Sequence, residues 1–311
     1  MDYTRQTAFS DPRHHLARLR ELPDDVAGIA AVTRNLVSHY RASGIDFPPA
    51  RLAEIDSRWV DRMLDADAAR FTVPLDAPRA PEQRIVGCCR DFTLLTVAAL
   101  RAKGVPARSR VGFADYFAED FHVDHVVVEH HDGSRWIAMD SQLDPAGDHA
   151  VDVTDVTLGP GGLRTAAQSW VAVRRGDEDP GTFGVGPGHP IGGSRMIAEY
   201  VVVELAHRMG DELLLWDLWG VSAETVAHLG GRQVDEAWDD LPPLQPEELA
   251  LIDEIADLLL SADAGDRAAE TKLAERYAED PRLHPGDVVT CLSPRGVGFQ
   301  VDLRRRTSTM G

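Results

Sequence analysis

Apolar residues recur at helical spacing in the first part of the chain, at Val26, Ile29, Ala30, Val32 and Leu36 and again at Leu52, Ile55, Trp59, Met63 and Leu64. Two or three helices are predicted there. Residues 72–86, TVPLDAPRAPEQRIV, break the pattern with three prolines and predict an extended connection. From Asp91 to Lys103 the run DFTLLTVAALRAK reads as an apolar helix, stopped by Gly104 and then Pro106.

Strand patterns follow: ARSRVGF at 107–113, HVVVEHH at 125–131 and RWIAMD at 135–140. The last two flank Asp132-Gly133-Ser134, which predicts a hairpin turn. A helix followed by successive strands, without regular alternation of strand and crossover helix, favours an α+β fold with an antiparallel sheet. Further along, a helix is expected near 164–174, and a second Gly/Pro-rich loop, GTFGVGPGHPIGG at 181–193, has the length at which loops often serve as lids. Helices are expected over 194–208, 247–261 and 266–279, and a terminal hairpin over 286–303 turns near Pro294-Arg295-Gly296 with a frayed end.

These patterns divide the chain into an N-terminal helical segment over 1–72, a core over 73–145, a loop-rich and helical extension over 146–285, and a β-hairpin and tail over 286–311. The 311 residues, 43% of them hydrophobic, suffice for a large core. A formal net charge of −19 would repel phosphate backbones, so nucleic acid is not an expected partner. No run approaches the roughly 20 apolar residues of a membrane helix, and the opening MDYTRQTAFSDPRHH has no signal-peptide core. Cys88, Cys89 and Cys291 form no disulfide framework. The expectation is a cytoplasmic protein with no membrane partner; the chain does not reveal its oligomeric state.

The candidate chemistry centres on Cys89. A thiol is nucleophilic as thiolate, and the positive dipole end of the helix behind Cys89 favours that anion. An imidazole is the best-suited base near neutrality, and His125 opens the first hairpin strand. Asp140, closing the paired strand, would hold the ring's other nitrogen. Around a turn at 132–134, facing residues have numbers summing to about 265 or 266, which sets His125 opposite Asp140.

The segments GCCRDFTLLTVAALRAKGVPARSRVGF, DHVVVEH and RWIAMDSQ resemble the transglutaminase-like superfamily over residues 85–142. The superfamily core has a Gly-x-Cys motif opening a helix, a Gly-x-Pro-Ala-Arg segment, a His-led strand and an Asp-ended strand, in this order. The resemblance implies a papain-like fold and selects Cys89, two residues after Gly87 and two before Asp91, over Cys88 as nucleophile. It implies a structural role for Arg108, paired with an acid. Relatives usually carry an aromatic residue where this chain has Val126, so the wall beside His125 is expected to differ. Backbone N–H groups at the helix start, that of Cys89 included, would stabilise an oxyanion; no motif marks a second donor.

Competing features carry less. His122, His125, His130 and His131 crowd one region, but their spacing matches no common structural zinc pattern, and no metal site is expected. GVGPGHPIGG lacks the spacing of a phosphate loop. Trp216 and Trp219 in ELLLWDLWG read as core or interface residues. The expectation is an acyltransferase or amide and peptide hydrolase acting through a Cys89 thioester on a small-molecule or peptide acyl donor, without cofactor. The alternative is a catalytically silent binding or scaffold module on the same fold.

Overall fold

The computed structural model describes residues 1–229 and 232–310. In chain order the helices are α1 (Leu16–Arg20), α2 (Val26–Leu36), α3 (Pro49–Leu52), α4 (Val60–Ala68), α5 (Cys89–Ala102), α6 (Ala166–Arg175), α7 (Gly193–Met209), α8 (Ala223–Leu229), α9 (Val234–Ala237), α10 (Pro246–Asp263) and α11 (Arg267–Glu279). The strands are β1 (Val37–His39), β2 (Ile85–Gly87), β3 (Ala107–Ala118), β4 (Phe121–His131), β5 (Trp136–Met139), β6 (Leu163–Thr165), β7 (Phe183–Gly184), β8 (Asp217–Leu218), β9 (Val288–Ser293), β10 (Val297–Asp302) and β11 (Thr307–Met310). The fold class is α+β, with predominantly antiparallel pairing. No helix among the described residues is long and apolar enough to cross a membrane.

The chain forms two compact units, and β3 and β4 contribute residues to both. The first unit holds residues 1–110, 125–158 and 210–214. At its centre lies α5, buried from Cys89 through Arg101. Phe92, Leu94, Leu95, Val97 and Leu100 leave this helix no continuous polar stripe, and a helix apolar on every side belongs in a core. Each such large side chain, fully buried, contributes roughly 1.5–3 kcal/mol. Its two threonines satisfy their hydroxyls: Thr96 donates to the carbonyl of Phe92 (2.9 Å) and lies 3.0 Å from the Thr33 hydroxyl of α2, while Thr93 donates to the carbonyl of Val126 on β4 (2.9 Å).

Beside the start of α5, β1 and β2 pair in parallel, with Val37 against Ile85 and His39 against Gly87. Gly87 is required by close approach: a Cβ there would lie 2.7 Å from Asp91 Oδ2 and 3.1 Å from Val37 Cγ1. The helix is also anchored by buried arginines. Arg101 donates to Glu212 Oε1 (2.8 Å) and to the Ser10 hydroxyl (2.9 Å). Arg90, fully buried, donates to Asp91 Oδ1 (3.0 Å) and to the carbonyls of Arg58 (2.6 Å) and Glu212 (3.1 Å from Nε).

The β4–β5 hairpin differs from the counted register. Val128 pairs with Met139 and His131 with Trp136, so facing numbers sum to 267. The turn spans 132–135, because Asp132 Oδ1 accepts from the backbone N–H groups of Ser134 (2.7 Å) and Arg135 (2.9 Å) and draws both into the loop. His125 is likewise not the first residue of its strand, which begins at Phe121, where Phe121 and Val123 alternate with polar His122 and Asp124.

The second unit holds residues 111–124, 159–209 and 215–311. Here β6 pairs antiparallel with β3, and β7 runs parallel to β4 at His122 and Val123. The α6, α7, α10 and α11 helices pack together, with Trp170 Nε1 donating to Asp253 Oδ1 (2.8 Å). The 181–193 segment, expected as a loop or lid, is pinned by β7, by a bridge between Gly184 and Gly192 and by Trp238 Nε1 donating to the Gly192 carbonyl (2.9 Å). Trp219 is buried and donates to the Leu283 carbonyl (2.8 Å). A hairpin of β9 and β10 turns at Gly296, as its pattern predicts. Residues Thr307–Met310, expected to fray, instead pair with β10, and residue 311 lies outside the described residues.

Removing one member of a buried, hydrogen-bonded ion pair leaves the other uncompensated. Arg90→Leu is therefore expected to cost about 3 kcal/mol or more of unfolding free energy. Urea unfolding followed by circular dichroism measures this, and a loss within about 0.5 kcal/mol, the range of ordinary surface substitutions, would show that Arg90 is not an anchor.

Candidate active site

Cys89 is the first residue of α5, preceded by Cys88 at the N-cap. The N-terminus of α5 is closed by Asp91, whose Oδ2 accepts the Cys88 backbone N–H at 2.8 Å. Both carboxylate oxygens of Asp91 are thus committed, one to the cap and one to Arg90. The Cys88 thiol is hydrogen-bonded to Cys89; that bond and its burial push it well above the ordinary thiol range, so Cys88 stays protonated.

Residues four apart share a helix face, and Thr93 lies one turn beyond Cys89. Its bond to the Val126 carbonyl therefore ties the face carrying the Cys89 side chain to β4 at the residue next to His125. The Cys89 thiol is hydrogen-bonded to the His125 ring. The other face of that ring meets Asp140, with His125 Nε2 donating to Asp140 Oδ2 at 2.8 Å. Because Nε2 is committed to the carboxylate, Nδ1 is the nitrogen left for sulfur. All three residues are buried: Cys89 is 6%, His125 2% and Asp140 1% exposed.

The dyad is not formed by directly facing residues. In the observed register the position opposite Asp140 is Val127, and His125 lies two residues away on the same face, a diagonal neighbour. Asp140 sits just past the end of β5, where its N–H donates to the Val153 carbonyl (2.8 Å) and its Oδ1 accepts from the Gln142 N–H (2.9 Å). The carboxylate thus faces His125 with one oxygen while the backbone holds the other.

Burial alone would lower the His125 pKa from 6.5. The charge and hydrogen bond of Asp140, followed by the contact with Cys89, outweigh it and carry His125 up to about 10. The ring is an imidazolium across the neutral range.

The remaining clustered histidines do not converge. His122 Nδ1 bonds Asp115 Oδ1 (2.6 Å), and His131 Nδ1 accepts the Gly133 N–H (3.0 Å). Arg108, as expected, pairs with an acid: its Nε donates to Glu129 Oε2 at 2.5 Å, and its guanidinium lies 4.5 Å from the Trp136 ring centroid. His39 stood outside the expected site. A lone histidine in the short stretch VSHY carries no spacing or motif that would single it out; only the β1–β2 pairing places it beside the nucleophile segment, and the positive charge of His125 acts on its ring.

The model of the transglutaminase-like superfamily matches residues 48–141, a span that contains Cys89, His125 and Asp140. Over that span the chain is similar to the transglutaminase-like core. The solved structure of a proposed cysteine protease from Cytophaga hutchinsonii aligns with 54% of this chain and 47% of its own, at 19% identity and a TM-score of 0.30. The aligned region spans about half the length of that protein. No curated protein matches the chain.

Since His125 is raised above its unfolded value of 6.5, the stability it contributes is complete below that pH and is lost as pH rises through about 10. In Asp140→Asn the larger counter-charge is gone while the contact with Cys89 remains, so His125 is expected to titrate well below 10, and the loss of stability with rising pH to move down with it. NMR titration of the His125 ring carbons reads the first effect; a ring that still titrates near 10 in the variant would show that Asp140 is not its cause.

Proposed function

We propose that this chain performs cysteine-dependent acyl transfer or amide and peptide hydrolysis through a Cys89 thioester, with His125 as general acid and base and Asp140 as its orienting partner. The observation that supports this most directly is that one imidazole is shared between the Cys89 thiol and the buried Asp140 carboxylate. A protonated ring beside the sulfur favours the thiolate, the form that attacks carbonyl carbon. Asp140 fixes the tautomer, so the proton that leaves the thiol resides on the nitrogen facing it and is available to the departing group.

The reaction balances simply. The sulfur electron pair forms the C–S bond while the carbonyl π pair moves to oxygen; the C=O then re-forms, the bond to the leaving group breaks, and that group takes the proton from His125. Water or an amine resolves the acyl-enzyme in a second passage of the same steps. The expected acyl donor is a small molecule or peptide carrying an amide, ester or thioester.

Iodoacetamide alkylation across pH tests the ion pair without a known substrate. An ordinary thiol with pKa near 8.5 is only about 1% thiolate at pH 6.5, so Cys89 is expected to react tenfold or more faster than Cys291 there, and His125→Ala to erase the advantage. Mass mapping locates the label; slow labelling equal to that of Cys291 would favour the catalytically silent module. Incubation with a panel of acyl donors should leave an adduct on the native chain and none on Cys89→Ala, and the mass gained identifies the acyl group.

A further inference from the structure

We propose that His39 supplies the second oxyanion-hole donor, its Nε2–H pointing to the same carbonyl oxygen as the backbone N–H of Cys89. The inference rests on the reading of Cys89 as nucleophile and extends it to the charge that develops on the substrate. An attacked carbonyl needs preorganised donors, and the structure of α5 offers one: Cys89 is the first residue of the helix, so its backbone N–H lies at the helix start beside its own sulfur.

Three observations point to His39 as the other. The first is position. His39 pairs with Gly87, two residues before Cys89, and the Tyr40 N–H donates to the Gly87 carbonyl at 2.9 Å, so the end of β1 is fastened to the segment that delivers the nucleophile.

The second is direction. Residues across a strand pair direct their side chains to the same face, and alternate residues along a strand share a face. The Cβ that Gly87 lacks would run into Asp91 of α5 and into Val37. Val37 and His39 therefore present their side chains on the face of the β1–β2 ladder that receives the first turn of α5.

The third is the tautomer. His39 Nδ1 accepts two backbone N–H groups, those of Arg41 and Ala42, each at 3.1 Å. A nitrogen engaged by two donors carries no proton, so the hydrogen of the neutral ring must be on Nε2. Among the described residues Nε2 has no hydrogen-bond partner. Burial, aided by the positive charges of His125 and Arg41, holds His39 down at about 4, which keeps it a neutral donor at working pH rather than a second cation beside the imidazolium of His125. Its ring is stacked on Tyr40, with centroids 5.2 Å apart and planes inclined by 17°, which limits its rotation.

The test separates a developing oxyanion from thiol reactivity. Acylation by p-nitrophenyl acetate passes through an oxyanion, whereas alkylation by iodoacetamide displaces iodide at a saturated carbon and makes none. In His39→Ala, acylation of Cys89 is expected to slow by about 10²-fold, as when one oxyanion donor is removed, while alkylation changes by less than about twofold. His39→Gln, which restores an N–H donor, should recover much of the acylation rate; His39→Phe, which keeps a ring without a donor, should not. The Gln and Phe pair decides the matter even if the alanine variant folds poorly by circular dichroism. Equal losses in both reactions would make His39 merely a support for the thiol, and no loss in either would leave it without a part; each overturns the proposal. Alkylation in the native chain that does not depend on His125 would instead remove the reading of the nucleophile itself, and the proposal with it.

Discussion

The geometry of the site depends on one buried hydrogen bond, His125 Nε2 to Asp140 Oδ2. An imidazolium withdrawn from water is unfavourable unless a counter-charge of good geometry replaces the lost hydration. The protein supplies it from a residue just beyond a strand end, where the Asp140 backbone is no longer engaged in the β5 ladder and its second oxygen is held by the Gln142 N–H. Such a pair adds little to stability relative to hydrocarbon packing. What it fixes is orientation: with Nε2 committed, only Nδ1 can serve the sulfur.

That bond would have no consequence if α5 could slide or turn. The helix is held along its length by groups from distant parts of the sequence: the Thr33 hydroxyl from α2, the Val126 backbone carbonyl from β4, and the Ser10 and Glu212 side chains around Arg101. Arg90, adjacent to the nucleophile, is buried for the same reason, its guanidinium taking carbonyls from two separate segments and the carboxylate that caps the helix. The polar groups of the α5 core are thus positioning devices. They set where the sulfur lies to within the tolerance of a hydrogen bond, which hydrophobic packing alone does less sharply.

Some of this was legible along the chain because its causes are local. The α5 helix follows from an unbroken apolar run closed by Gly104, whose φ of +78° only glycine adopts without strain. The later helices α7, α10 and α11 follow from apolar spacing, and the β9–β10 turn from Pro-Arg-Gly. The pairing of His125 with Asp140 followed from hairpin counting that missed the register by two. The face survived because a shift of two residues preserves side-chain orientation, whereas a shift of one would have sent the two groups to opposite sides of the sheet. The error arose in the turn, where the Asp132 side chain captures two backbone N–H groups.

The amino-acid sequence by itself determined the chemistry that could be assembled: a cysteine at a helix start, a strand histidine, a strand-end aspartate, and the order in which they come. Only the tertiary structure decided that α5 turns its Cys89 face toward β4, that Asp140 reaches His125 diagonally, and that His39 stands beside Gly87. The physical reason is that periodicity and turn chemistry are properties of neighbours, whereas these three contacts join residues 15 to 48 positions apart, through pairings that no local preference encodes.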